Sequence, residues 1–440
     1  MLKSEKRDEG GRGVAAVREH AAALLGAARA LSADGEGVTR EAFGDRESAV
    51  LDCIEDAGRA LGLAPQRDPA GNLWLRREGR EPSLPLIVLG SHADSVPQGG
   101  NFDGLAGIAA GLAALERLAA EGIALRHPCA VLALRGEENS FYGKPYIGSR
   151  MLLGQFPRAE LELRHRTTGR TLGEAVAAAG VDPEAVSAGR FLVDPKSLRC
   201  FIELHIEQGP TLDLSPDVRV GVVTGIRAIA SHKTVVCRPL REGADPAAAT
   251  ASLLCRMEDH WEEALARGED LVETTGILET RSASADAGAE AGERALPASS
   301  PLAPASSAAF SFDIRSLHRS TIERFHALLL EEAAAAGSAR GAAFDFDPML
   351  YSPAAVMDPA LRRFLHEGAE AADVPVRDMS SGAGHDSAVF AAAGVPTAML
   401  FIANRFGSHN PHEAMDMADF LAGTAVLAEA LKRLDKAPDV

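Results

Sequence analysis

Continuous apolar runs that stop in polar residues constrain this chain more than any other feature. LPLIVLGSHAD (84–94), HPCAVLALRGEE (127–138), RCFIELHIEQG (199–209) and PTAMLFIA (396–403) are strand-length and apolar through their middles. A strand can be apolar on both sides only where both faces of its sheet are covered, as when helices connect parallel strands. Segments with helical apolar spacing lie around these runs. They cover 13–32, 46–62 with Gly62 closing it, 107–122 and 420–434. The expected core is α/β with a mostly parallel sheet. In such folds ligands gather at the carboxyl ends of the strands.

The middle of the chain is patterned differently. Residues 227–239, 270–280 and 308–316 read as alternating strands, with helices at 247–267 and 319–337. That order predicts a small α+β domain with one open sheet face, inserted into the first. At 440 residues two domains are expected, with 1–222 and 349–440 forming one and 223–348 the insert. The Ala/Ser/Gly/Pro-rich stretch 281–307 reads as a long loop.

Lys and Arg number 45 against 62 Asp and Glu, a net charge of −17. Phosphate-rich partners would be repelled, so nucleic acid and anionic membrane surfaces are not expected. The five scattered cysteines show no zinc-finger spacing and read as reduced core thiols. No signal peptide or membrane-length apolar run is present, which makes the cytoplasm the expected location.

Acidic residues and histidines cluster where the apolar runs end. The segments are GSHADSVPQGGNFDG (90–104), LRGEENS (134–140), FIELHIEQGP (201–210), SGAGHDS (381–387) and GSHNPHE (407–413). Together they offer what a hydrolytic two-metal site needs: histidine and carboxylate ligands, a bridging carboxylate and a spare carboxylate base. An Asp before Gly is ordinarily a turn residue, but Asp103 follows His92-x-Asp94 and leads straight into a helix. His92 could bind one metal and Asp103 bridge two, with Asp94 holding the His92 ring through its other nitrogen. Glu137 and Glu138 repel each other at a strand end unless a cation is near. One could be a ligand and the other a base. His205 is flanked by Glu203, Glu207 and Gln208. His409 follows the last strand, beside the Asn410-Pro411 turn. His412 and Glu413 are expected to support the ligands rather than join them. His385 lies in Gly-rich backbone that a substrate could approach. Arg315, in FSFDIR, is either a structural ion-pair residue or a carboxylate clamp.

With these residues together, the chain resembles the zinc-dependent amidase/hydantoinase/carbamoylase family, which includes N-carbamoyl-L-amino-acid hydrolases and allantoate amidohydrolases and is related to aminoacylase-type metallopeptidases. The resemblance runs from about residue 38 to the C-terminus. It implies a di-metal hydrolase domain with an inserted α+β lid that also forms a homodimer. It implies two divalent metal ions, zinc first, with manganese, cobalt and nickel also suited to such ligands. By resemblance His92, Asp103 and His205 hold one metal, and Asp103, Glu138 and His409 the other. Glu137 is the general base, Gln208 and His385 contact the substrate, and Arg315 clamps its carboxylate. The implied substrate is a small N-carbamoyl-L-amino acid or related ureido acid. The SHADSVPQGGNFDG segment is closer to the carbamoylase pattern than to the allantoate one. Peptidase relatives usually carry a carboxylate where His205 stands.

One departure is visible. The family's lid H-[AS]-G-x-x-P segment, whose histidine helps stabilise an oxyanion, has no counterpart in 237–254, and His232 lies upstream of it. Two alternatives therefore stand beside the hydrolase: a catalytically impaired metal-binding homologue, and an allantoate- or peptide-type amidohydrolase on the same scaffold.

Overall fold

The computed structural model describes residues 2–282 and 305–438. The chain divides into two compact units, Met1–Thr224 with Val356–Val440, and Gly225–Ala355.

The first unit begins with the helix Leu2–Ser32 and a short ribbon of β1 (Ala33–Asp34) and β2 (Gly37–Val38). The helix Asp45–Ala60 leads to β3 (Ala64–Arg67), β4 (Leu73–Arg77) and β5 (Leu86–His92). The helix Leu105–Ala120 then returns the chain to β6 (Cys129–Leu134), and several short helices precede β7 (Leu198–Ile206). β8 (Val220–Ile226) runs to the second unit, which holds β9 (Ala228–Pro239), the helix Pro246–Ala266, β10 (Val272–Ser282), β11 (Ala305–Ser316), the helix Arg319–Arg340, β12 (Ala342–Phe346) and β13 (Leu350–Ser352). The chain finishes with β14 (Ala355–Val356), the helix Pro359–Ala372, β15 (Val376–Ser381), the helix Asp386–Ala392, β16 (Thr397–Ile402) and the helix Met417–Leu434.

The large sheet has nine strands in the order β14-β8-β16-β7-β5-β6-β4-β3, with β15 also on β8. Its centre, β16-β7-β5-β6, is parallel, while β8 on one side and β4 and β3 on the other are antiparallel. Every residue of the four central strands is buried, as the unbroken apolar runs require. Ile87 and Leu89 pack beneath the long helices of one face, and Val88 joins Leu132, Phe201 and Phe390 beneath the other. Each such side chain contributes roughly 1.5–3 kcal/mol on burial, so strands and helices specify each other. The ends of β5, β6, β7 and β16 then deliver the polar motifs to one edge of the sheet.

The second unit is an antiparallel sheet, β10-β11-β9-β12 with β13 also on β9. Its two helices cover one face, where Leu253, Met257, Ile322, Phe325 and Leu329 meet Ala230, Val235, Phe312 and Ile314. The expected 281–307 loop is corrected at both ends. Arg281 and Ser282 continue β10, and Ala305–Ser307 already pair within β11, while 283–304 lie outside the described residues. The cysteines are likewise not all core thiols, since Cys255 is exposed and Cys53 half-buried. Among the described residues no helix is long and apolar enough to cross a membrane.

Candidate metal centre

His92 is the last residue of β5, and His205 is the penultimate residue of β7. β5 and β7 are parallel neighbours, so both imidazoles leave the sheet at the same edge. Their Nε2 atoms are 3.4 Å apart. Asp103 comes from the turn before the helix Leu105–Ala120, and its Oδ1 lies 3.4 Å from His92 Nε2 and 3.1 Å from His205 Nε2. Gly104 makes that approach feasible. It has φ of +68°, and a Cβ on it would sit 2.5 Å from the His92 ring.

A second set shares the same carboxylate. His409 Nε2 is 3.3 Å from Asp103 Oδ2 and 3.1 Å from Glu138 Oε1. Thus His92, Asp103 and His205 form one group of possible ligands, and Asp103, Glu138 and His409 a second. Both suit a small divalent cation. Bonds of about 2.0–2.1 Å in a tetrahedral shell put neighbouring ligand atoms about 3.3 Å apart, and the separations here are 3.1–3.4 Å. Glu138 Oε1 is buried and makes no hydrogen bond, leaving an acceptor aimed at this centre. The other ring nitrogens of His205 and His92 are already engaged. His205 Nδ1 lies 2.8 Å from the Ile206 carbonyl, and His92 Nδ1 lies 3.2 Å from the Asp94 carbonyl. Each ring is thereby turned to present Nε2 to a ligand.

Asp94 does more than the sequence suggested. Its Oδ1 is 3.4 Å from His92 Nδ1. Both carboxylate oxygens also accept backbone N–H groups, from Glu137 at 2.9 Å and Glu138 at 3.0 Å. One buried carboxylate therefore fixes the end of β5 to the peptide that carries both glutamates.

The electrostatics fit a site built for cations. For Asp103, burial favours the protonated form, but His205, His409 and His92 outweigh it and hold the carboxyl well below its usual range. The Asp103 and Glu138 carboxylates beside it push His409 up to about 11. Glu137 behaves oppositely: burial raises it well above the usual range, against the pull of His92 and with repulsion from Glu138, Asp386 and Asp94. A buried carboxyl made more basic is suited to moving protons.

Gln208 and His385 adjoin this cluster. Gln208 Nε2 donates to Asp103 Oδ2 at 2.8 Å. The His385 ring packs 4.6 Å from that of His205, with Nε2 2.9 Å from Ser381 Oγ. Burial and the neighbouring His205 charge keep His385 well below its ordinary value, hence neutral. Arg315 belongs to β11 of the second unit, where its Nε donates to Asp313 Oδ1 at 2.5 Å. Glu413 accepts the N–H groups of Phe102 at 2.7 Å and Asp103 at 3.2 Å, while His412 is exposed. Glu203 and Glu207, which flank His205 in sequence, are bonded elsewhere. Glu203 accepts from Ser91 and Ser387, and Glu207 from the amides of Thr211 and Leu212. His232 faces the helix-covered side of its sheet, with Nε2 3.0 Å from His326 Nε2 and Nδ1 2.8 Å from the Asp347 carbonyl. His232 is committed to the interior of the second unit and does not stand in for the lid histidine.

Residues 88–433 match the peptidase family M20/M25/M40. An N-carbamoyl-L-amino-acid amidohydrolase of Paenarthrobacter aurescens is 34% identical over 418 residues, covering 92% of this chain and 95% of that protein. An allantoate amidohydrolase of Bacillus subtilis (strain 168) is 28% identical, covering 92% and 94%. A hydantoinase/carbamoylase family amidase from Burkholderia multivorans superposes with a TM-score of 0.80 at 27% identity, covering 96% and 98%. The chain belongs to the peptidase family M20/M25/M40, with the hydantoinase/carbamoylase amidases as its structural neighbours. It is an amidohydrolase, an enzyme that cleaves amide bonds with water.

Proposed function

We propose that the protein hydrolyses the carbamoyl C–N bond of an N-carbamoyl-L-amino acid or similar ureido acid. The observation that carries this reading is the pair of three-residue ligand sets sharing Asp103, with Glu137 held beside them by Asp94. His92, Asp103 and His205 would hold one divalent ion, zinc by preference, and Asp103, Glu138 and His409 a second. Such ions, when bound, make water more acidic and polarise a carbonyl. Glu137 takes a proton from the attacking water, whose oxygen bonds to the carbamoyl carbon. Glu137 then passes the proton to the nitrogen that departs as the C–N bond breaks. The products are the free amino acid and carbamic acid, which breaks down to ammonia and carbon dioxide. Gln208 and neutral His385 orient the carbamoyl group, Arg315 binds the carboxylate, and the second unit acts as lid and homodimer interface. With no lid histidine, part of the oxyanion stabilisation falls to other donors. One such donor is worth about 100–1000-fold in rate, so turnover should be modest.

The test is ammonia release from N-carbamoyl-L-amino acids, ureidopropionate and allantoate by zinc- or manganese-loaded protein. Glu137→Gln is run in parallel and should lose about 100–10,000-fold in kcat. Metal-loaded protein inactive on the whole panel, or a Gln variant as fast as the parent, would sink the proposal.

A further inference from the structure

Arg40 is the largest fully buried side chain near the centre, and it lies outside the ligand motifs. Its guanidinium reaches two loops at once. Nε donates to the Ala93 carbonyl at 2.7 Å, between His92 and Asp94. Nη1 donates to Asn101 Oδ1 at 3.1 Å and Nη2 to the Asn101 carbonyl at 3.4 Å, two residues before Asp103. The backbone joins in: Arg40 N–H donates to Ser95 Oγ at 2.9 Å, and Ser95 N–H donates to the Arg40 carbonyl at 3.0 Å. Asn101 is held from behind through Nδ2 and the Leu25 carbonyl at 2.9 Å.

No carboxylate among the described residues lies within ion-pair distance of Arg40. A fully buried guanidinium bonded only to neutral groups is costly. Burial lowers its pKa, and the charges that oppose this and favour the cationic form are those of Asp94, Glu413, Asp103 and Glu138, four acids in and around the centre. The fork therefore spans both ends of the 93–101 segment, and the charge is balanced at a distance by the cluster that segment delivers.

We infer that Arg40 is a positioning residue that clamps the His92–Asp94 and Asn101–Asp103 turns at the spacing the metal ligands require. The inference rests on the metal assignment made above. It acts through the planar fork rather than through charge alone, because three nitrogens address two carbonyls and an amide oxygen that a single ammonium cannot all reach.

The experiment is competitive chelator titration with zinc, together with visible spectra of the cobalt-loaded protein, on the parent, Arg40→Lys, Arg40→Met and Asn101→Ala. Residues supporting metal ligands typically matter by about 10–100-fold in metal affinity. Arg40→Lys and Arg40→Met should both weaken zinc binding by about that factor and alter the cobalt spectrum at saturation. Asn101→Ala, which leaves Arg40 in place but removes one acceptor, should weaken it several-fold. Parent-like affinity and spectrum in Arg40→Lys would overturn the fork and leave the metal assignment standing. Should the Arg40 variants fail to fold, Asn101→Ala with parent affinity would overturn it instead. A parent that binds no metal would overturn both.

Discussion

Asp94→Asn isolates the contact that couples metal ligand to base. Asp94 is fully buried, and each of its two oxygens accepts one amide, from Glu137 at 2.9 Å and Glu138 at 3.0 Å. An asparagine has the same shape but presents one oxygen and one NH2 group. The NH2 would oppose an amide N–H and leave a buried donor unbonded, a cost of about 1–3 kcal/mol. The surviving bond changes from charge-assisted to neutral, a further loss of about 1 kcal/mol. Because the contact is fully buried, solvent does not discount these values, and the sum is about 2–4 kcal/mol. The loss falls on the peptide that carries both Glu137 and Glu138. Relief by a shift of about 1 Å would move the base out of reach, at roughly 100-fold in rate. The expected result is kcat lower by about 100-fold with KM little changed, and a thermal midpoint lowered by several degrees. Steady-state ammonia release and circular-dichroism melting of metal-loaded protein measure both. A variant with parental kcat and midpoint would refute the coupling.

Other outcomes follow from the same geometry. Asp103→Ala removes the carboxylate common to both ligand sets and should reduce bound metal from about two per chain to near none, whereas His409→Ala should retain about one; elemental analysis after dialysis distinguishes them. His409, raised to about 11 by Asp103 and Glu138, carries a proton at neutral pH that a cation must displace. Metal binding should therefore release protons and strengthen as pH rises, and calorimetry in buffers of different ionisation enthalpy should report at least one proton per chain. Gly104→Ala places a methyl 2.5 Å from the His92 ring on a backbone with φ of +68°. It should weaken metal binding by at least tenfold through displaced ligands, and parental affinity would contradict the role given to that turn.

Much of the centre is legible in the sequence because the ligands terminate apolar runs. His92 ends β5 and His205 nearly ends β7, so the strand pattern alone sends them to one sheet edge. Local pattern leaves the choice between Glu137 and Glu138 open, and it turns on which carboxylate approaches His409 and Asp103: Glu138 does, at 3.1 Å from His409 Nε2. Asp94 and Glu413 stand within the motifs, but the partners they bond, and Arg40 altogether, are hidden. Asp94 bonds to a peptide 43 residues away, Glu413 reaches an amide 310 residues away, and Arg40 bonds across 53 and 61 residues. None of these contacts leaves a periodic pattern or a short motif. By contrast, the helix Pro359–Ala372 is absent from the expected elements although its signal is local, with Asp358 capping and Pro359 in the first turn.

The chain's own pattern of apolar runs and turn residues determined the parallel core, the antiparallel insert and the types of ligand available. Burial on two faces, or on one, leaves that imprint in consecutive residues. Which nitrogens and oxygens converge to 3.1–3.4 Å, which carboxylate stays basic, and why His232 cannot stand in for the lid histidine were decided only in the tertiary structure. Those properties depend on directions and on charges between segments far apart in sequence, and consecutive residues carry no record of them.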